Sequence, residues 1–436
     1  MAESNRVLDT AALRSMHPAD LAKVFEECDP SLHSELLSRL NEEKRADLLV
    51  HLDPMDRQQL LEQTSVREIA ELIGELDSDD AADVLGDLEE DTVVRVLEVR
   101  EQDEPEEAED LRELLKYPKD TAGGLMQVEV ASIRRSATST EAIQALRAWQ
   151  DDVENMHFIF VVDDDERFIG TVRMARLALA KPETPIAGLM EAKFVEVRPD
   201  VDQEEVARVF AKYDIISLAV TDADSRLLGR ILVDDVVEVM EEEADEDAYR
   251  MVGSDAEELL YGDRPFRIGL IRLPWLVVNL VGGFCTGLLL WIFQATLEQT
   301  IALVAFVPVI TAMGGNVGSQ SAMIVIRGFA TGRIDPAAVG VIVFREGSIG
   351  LFMGTLCGGI IGAASVIWLG DPTLGLVVGV AMFAAMSVAT AIGALAPVVF
   401  RRLGVDPAIA AGPFVTTAND ITGILIYMLT ATALLS

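Results

Sequence analysis

The second part of this chain has no histidine: all four (His17, His33, His51 and His157) precede residue 264. That absence excludes a histidine-held zinc site or a Ser–His hydrolase from the apolar C-terminal part. Cysteine is equally scarce. Cys28, Cys285 and Cys357 are too far apart in sequence to suggest a disulfide framework or a cysteine zinc site. No glycine-rich phosphate loop is present, and no signal-peptide pattern opens the chain, so its first half is expected to stay in the cytosol. Positive charge is short as well. Residues 1–263 hold 27 basic and 66 acidic side chains, a balance of −39, whereas residues 264–436 balance at +2. A surface that acidic repels nucleic acid and anionic lipid and attracts cations.

What is present begins with a repeated helical phrase. HPADLAKVFEEC (17–28), LDPMDRQQLLEQ (52–63) and LDSDDAADVLGDL (76–88) each join a Pro, Ser or Asp start signal to apolar residues at helical spacing. One apolar face per short helix predicts a small all-α N-terminal helical domain over residues 1–116. Asp79, Asp80 and Asp83 fall at a helix start, where they also favour the positive end of the dipole. An internal duplication follows. Leu125-Met126 and Leu189-Met190 open two units that run in register into TSTEAIQAL (138–146) and DQEEVARVF (202–210), then realign at FIFVVDDDERFIGTV and SLAVTDADSRLLGRI. The β-α-β-β-α order resembles the CBS domain, predicting an α/β CBS-domain pair at 117–185 and 186–243. Such pairs often bind adenosyl nucleotides, so ATP is an expected ligand there, although this architecture fixes no activity.

Residues 234–250, DDVVEVMEEEADEDAYR, read as a long acidic helix leading into a connecting helix at 244–263. Its carboxylates lie within a Debye length of about 8 Å and repel one another, so a cation is expected to relieve them. Five apolar runs (271–294, 301–327, 337–369, 374–400 and 408–435) then predict a five-helix α transmembrane domain over 264–436. Arg264, Arg267, Arg272, Arg327, Arg333, Arg401 and Arg402 cluster at alternate ends, while the turns at 295–300 and 370–373 and the C-terminal tail lack basic residues. The positive-inside rule therefore predicts a multi-pass protein of the inner (cell) membrane, its acidic half cytoplasmic and its C-terminus outside.

Asp420 stands in the last of these runs, which contains no basic residue. A carboxylate deep in a membrane helix costs about 2.5–3.5 kcal/mol on insertion scales. Span two carries PVITAMGGNVGSQ (308–320), where Pro308 and Gly314, Gly315 and Gly318 suggest a broken or closely packed backbone. Counted at ~1.5 Å per residue, this stretch and Asp420 both fall near mid-bilayer, Asp420 about 18 Å from the inner end of its run. With Asn316 and Gln320 they suggest an oxygen-lined passage for a hard cation, without thiolate or imidazole. Mg²⁺ sheds water reluctantly, so sparse charge around a hydrated ion suits it. A two-fold dimer would bring two copies of Asp420 to one axis. A single aspartate within the apolar runs of each chain disfavours an aspartyl protease, and no enzyme activity is expected.

The chain resembles the MgtE family of magnesium channels over essentially its full length. The resemblance is carried by YPKDTAGGLM (117–126), DQEEVARVFAKYD (202–214), GRILVDDVVEVMEEEADED (229–247), RLPWLVVNL (272–280), FVPVITAMGGNVGSQS (306–321) and TTANDITGILIY (416–427). It implies a homodimer in the lipid bilayer, importing Mg²⁺ through a pore lined by Asp420, by Gly315 and Gly318, and by the Thr416 carbonyl. It further implies that Mg²⁺ closes the pore from the cytoplasmic side through Asp79, Asp83, Asp202, Glu204, Asp214, Asp235, Glu238, Glu243, Glu246, Asp247 and Asp406. Glu238 and Gly412 stand where some relatives carry Asp and Asn. The rival expectation is an ion-coupled secondary transporter of Mn²⁺ or Co²⁺, with Arg345 and Glu346 available for coupling.

Overall fold

A computed structural model describes residues 10–29, 32–147, 156–192, 194–254, 265–334 and 339–435. The chain divides into two compact units, Met1–Met240 and Glu241–Ser436.

In the first unit the repeated phrases form short helices: α1 (Thr10–Ser15), α2 (Pro18–Glu27), α3 (His33–Ser38), α4 (Glu42–His51), α5 (Pro54–Gln63), α6 (Val66–Ile73), α7 (Ser78–Gly86), α8 (Glu90–Asp103) and α9 (Pro105–Leu114). Pro18, Pro54 and Pro105 occupy first turns, where a missing N–H costs no helical bond. None of these helices buries its apolar face alone. Leu21, Phe25 and Leu48 close one core, while Ile69, Ile73, Leu85 and Leu111 join a second one with Phe210, Leu218, Ile231 and Val236. The helical stack and the second CBS unit therefore share a single apolar interior.

The duplication is realised strand for strand. β1 (Ser132–Arg134), α10 (Ser139–Leu146), β2 (Phe158–Val162), β3 (Phe168–Arg173) and α11 (Met174–Ala178) make the first unit. After α12 (Ile186–Leu189) come β4 (Glu196–Val197), α13 (Gln203–Tyr213), β5 (Ser217–Thr221), β6 (Leu227–Leu232) and α14 (Val233–Val252). Each sheet pairs its first strand parallel and its hairpin antiparallel. The acids of the hairpin turns have structural work: Asp163 Oδ1 accepts from the N–H of Asp165 and Arg167, and Asp222 Oδ1 from Asp224 and Arg226. The Leu-Met openings cross over. Met126 lies against Gly229 of the second hairpin, and Met190 against Gly170 of the first. Glycine is required at both, since a Cβ there would fall 2.6 Å from a backbone carbonyl of Gln127 or Glu191.

The second unit holds five helices long and apolar enough to cross a membrane: α15 (Pro265–Ile292), the span Ile301–Ala330, α18 (Val339–Leu369), α19 (Pro372–Arg402) and the span Gly412–Leu435. Between the first two lies α16 (Gln294–Gln299); the second span consists of a 3₁₀ turn and α17 (Val307–Ala330), and the last continues as α20 (Val415–Leu435). Gly350, Gly354, Gly358 and Gly362 recur every fourth residue of α18, and a Cβ on the last three would press on α19 carbonyls of Phe383, Gly379 and Gly375. Close approach of two backbones replaces the hydrophobic drive that lipid withholds. Tyr427 is buried, and its hydroxyl donates to the Leu303 carbonyl (2.9 Å).

Two expectations about the spans are corrected. Span two is not broken: α17 runs uninterrupted through Gly314, Gly315 and Gly318, with Pro308 in its first turn. The break falls in the last span, at Gly412, whose ψ of −124° leaves the helical range just before Pro413. Proline disfavours the helical conformation in the residue before it, and glycine readily takes the alternative. Asp420 consequently lies about 12 Å from the Gly412 end of its span rather than at mid-length.

Candidate cation sites

Asp420 is half-buried on the second turn of α20 and makes no hydrogen bond or ion pair among the described residues. Its neighbourhood is built by α17 and α20. A Cβ on Gly315 would lie 3.6 Å from Thr416 Cγ2, so these two predicted pore residues face each other. Thr416 Oγ donates to the Gly412 carbonyl (3.2 Å), satisfying an acceptor beside the break. Gly318 is placed differently. It is buried, with the Asn419 amide and Val415 on the side where a Cβ would project, and its carbonyl oxygen lies against Gly393 of α19. The carbonyls of an unbroken helix already accept intrahelical bonds, leaving one lone pair for an ion's water. Asn419 is 1 % exposed, and neither amide atom finds a partner among the described residues.

Behind this wall Glu346 of α18 is buried and accepts from Ser321 Oγ (3.1 Å) and from the Arg345 guanidinium (3.1 Å). Its lone pairs are engaged by its own chain.

Glu243, Glu246, Asp247 and Arg250 recur at i, i+3, i+4 and i+7 of α14 and share one face of it. Arg250 pairs with both Glu246 and Asp406. Asp406 Oδ1 meanwhile accepts the Ala408 N–H (2.7 Å). The end of α14 is pressed onto the break in the last span: a Cβ on Gly412 would lie 2.8 Å from the Met251 carbonyl oxygen. Gly253, with φ +75°, turns the chain there beside Trp275 and Pro413. Residues 255–263 of the predicted connecting helix, and Arg264, lie outside the described residues.

In the first unit, Asp79 and Asp235 belong to one electrostatic cluster. Asp79 is buried in the first turn of α7, its Oδ1 without a partner among the described residues. Burial, then Asp235 and Asp80, push its pKa well above the usual carboxylate range. Asp80 is raised to about 7 by burial and by Asp77, Asp83 and Glu238. Asp235, at the start of α14, accepts the Leu232 N–H (3.1 Å) and is raised to about 7 by burial and by Asp234. Glu238, one turn on, acts on both Asp80 and Asp235. Such a cluster is short of positive charge, and a divalent cation with several waters supplies it. Asp83 already has a cation: Lys119 Nζ lies 3.8 Å from it and 3.2 Å from Asp87.

Asp202, Glu204 and Asp214 are kept apart. Asp202 caps the start of α13 by accepting the Glu204 N–H (2.9 Å), and Glu204 pairs with Arg208 (2.5 Å). Asp214 ends the same 11-residue helix in a left-handed conformation (φ 57°) that Asp tolerates. The helix separates Asp202 from Asp214 by about 18 Å, so one ion cannot take both. Among the described residues no three Asp, Glu, His or Cys side chains already stand as a metal-ligating group. Any Mg²⁺ held here would take one or two carboxylates and keep most of its water.

The sequence reading passed over Arg250, Asn419 and Lys119. Arg250 was signalled by its spacing from Glu243 and Glu246. Asn419 carried no signal beyond its adjacency to Asp420, because its partner Gly318 is remote in sequence.

Residues 307–430 match the divalent cation transporter family model of MgtE, residues 16–120 the MgtE intracellular N domain, and residues 186–242 the CBS domain. The magnesium transporter MgtE of Thermus thermophilus is 40 % identical over 334 residues, covering 76 % of this chain and 74 % of that protein. The magnesium transporter MgtE of Bacillus subtilis is 33 % identical over 330 residues, covering 76 % and 73 %. A solved cytosolic domain of the Mg²⁺ channel MgtE in complex with ATP matches with TM-score 0.50 and 34 % identity, over 53 % of this chain and 93 % of that one. The helical N domain, the CBS pair and five apolar helices thus agree with the matched relatives in order and in kind, and the chain belongs to the MgtE family of magnesium transporters.

Proposed function

We propose that the protein is a magnesium-selective channel, a homodimer in the inner membrane, that imports Mg²⁺ and is closed by cytosolic Mg²⁺ bound to its acidic cytoplasmic part. One observation carries the permeation half: Asp420 is a half-exposed carboxylate on a membrane helix, without a hydrogen bond or ion pair among the described residues, and Thr416, one turn before it, faces Gly315. Partial exposure fits a hydrated ion passing beside it, and a lone negative charge suits a cation that keeps its first water shell. The channel is favoured over an ion-coupled transporter of Mn²⁺ or Co²⁺ because Glu346, the other carboxylate within a described span, is occupied by Ser321 and Arg345. No catalytic step belongs to this reading.

The closing half rests on the buried Asp79 and the half-buried Asp80 and Asp235, whose pKa values are raised, together with Glu243, Glu246, Asp247 and Asp406 near the break in the last span. Weak sites suffice. Several ions that each prefer the closed state can together supply the ~5.5 kcal/mol that moves an equilibrium from 1:99 to 99:1. Asp202, Glu204 and Asp214 would act as separate weak sites. The arginines at the ends of the spans support a cytoplasmic acidic unit by the positive-inside rule. ATP at the CBS pair is carried over from the solved relative.

The test is Asp420→Ala in proteoliposomes. Mg²⁺ uptake is expected to fall at least about tenfold, a loss of ~1.4 kcal/mol at the limiting step, with the protein eluting as wild type. Unchanged uptake would remove Asp420 from the path.

A further inference from the structure

We infer that Arg250 is a fixed internal cation that occupies the Glu246–Asp406 site in place of a divalent ion, so that arginine and Mg²⁺ compete for the same carboxylates. The inference rests on the proposed closing of the channel by Mg²⁺ and concerns how that one site is regulated.

Four observations converge. The Arg250 guanidinium pairs with Glu246 on its own helix and with Asp406 across to the approach of the last span. Asp406 gives its other oxygen to the Ala408 N–H, so both oxygens are in use. The carbonyl of Met251, next to Arg250, abuts Gly412 where the last span breaks, so the ion pair sits beside that break. Gly253 then turns in the left-handed region against Trp275 and Pro413, fixing the end of α14 at the same place. A guanidinium has five donors and no acceptor, and it cannot share a carboxylate's inward lone pairs with a metal ion. Arg250 must leave before an ion can bind between Glu246 and Asp406.

Exclusive occupancy has a signature that simple support lacks. Let the docked arrangement be the closed one. If arginine multiplies the closed-to-open ratio by r and bound Mg²⁺ by a factor x that grows with concentration, mutually exclusive occupants contribute r + x. Independent ones contribute r(1 + x). Removing arginine turns the first into 1 + x, which differs from wild type at low Mg²⁺ and merges with it when x is large. Removing an independent strut displaces the ratio by the same factor at every concentration. For a partly exposed ion pair, r is about two to five.

The experiment is patch recording of the full-length protein at stepped cytosolic Mg²⁺, comparing wild type, Arg250→Gln and Arg250→Lys. The closed-to-open ratio is taken from dwell times. We expect Arg250→Gln to lower that ratio about two- to fivefold at low Mg²⁺ and to coincide with wild type at high Mg²⁺. Arg250→Lys, which keeps the charge, should stay near wild type throughout. A constant displacement at all concentrations, or curves that coincide everywhere, would overturn the inference. Both of those outcomes leave the gate standing, because wild type still closes. A wild-type channel indifferent to cytosolic Mg²⁺ would instead refute the gate itself. Should Arg250→Gln elute as aggregate, Arg250→Met, which keeps the aliphatic stem, is read in its place.

Discussion

Gly318 is held between two helices by what it lacks. On one side the Asn419 amide fills the space a side chain would take; on the other, its carbonyl oxygen lies against Gly393. The two contacts respond differently to an added methyl group. Gly318→Ala meets the end of a side chain, which is removable; Gly393→Ala meets a backbone oxygen, which is not. Overpacking costs typically ~1–3 kcal/mol, so each single substitution is expected to lower the melting temperature in detergent by several degrees. Asn419→Ala should restore most of the loss in the Gly318→Ala background and none in the Gly393→Ala background. Equal rescue of both, or of neither, would show that Asn419 is not what Gly318 accommodates. Asn419→Ala alone also removes two buried polar atoms without partners among the described residues, each worth ~1–3 kcal/mol when unsatisfied, so its own cost should be small. From the sequence, Gly314, Gly315 and Gly318 read alike, as packing or as lining. Only the partner helix separates them: Thr416 stands opposite Gly315, and Asn419 fills the place of a Gly318 side chain.

At the scale of elements, the start of α7 and the start of α14 form the device whose charge depends on pH. Asp80 and Asp235 titrate at about 7 in the folded chain, against about 3.9 for an unfolded aspartate. Between those values the folded state holds more protons than the unfolded one. This contribution to stability is therefore complete below about pH 4, shrinks as pH rises, and is gone above about 7. Mg²⁺ requires the ionised carboxylates, so its binding strengthens across the same window. Without Mg²⁺, the melting temperature of the full-length protein should fall between about pH 4 and about pH 7; millimolar Mg²⁺ should flatten that fall. Asp79→Asn keeps the shape of the buried side chain and removes its charge. It should raise metal-free stability and blunt the Mg²⁺ response; a metal-free decrease would mean that Asp79 is held by a partner already present. Calorimetry of the two forms at three pH values decides it.

Elements were also where the sequence was most legible. Apolar length gave five spans, and the doubled Leu-Met and hairpin phrases gave the paired β-α-β-β-α units with their antiparallel hairpins. What escaped was backbone continuity. Three glycines in α17 suggested a break, yet packing against α19 and α20 keeps them helical. The true break at Gly412-Pro413 carries two local signals together, a proline that biases its predecessor away from the helix and a glycine free to take the alternative. Pro274 and Pro397 instead follow Leu273 and Ala396 and leave α15 and α19 continuous.

For the molecule as a whole, the question is whether Asp420 acts once per chain or once per pair of chains. If all five helices cross, the two ends of a chain lie on opposite sides of the membrane and two copies cannot be fused head to tail without an added span. Mixed dimers carrying two different affinity tags avoid this. A single carboxylate is sparse charge for a divalent ion, and a shared axis would double it. If the path lies at that axis, a dimer with one Asp420→Ala chain has lost half the negative charge of its only pore. Its Mg²⁺ uptake should then fall well below half of the wild-type rate, with a weaker apparent affinity for Mg²⁺. If each chain carries its own path, half the uptake remains and the affinity of that half is unchanged. The affinity is the more telling reading, because an inactive fraction lowers the rate in either case but alters the concentration dependence only when the two aspartates face one ion.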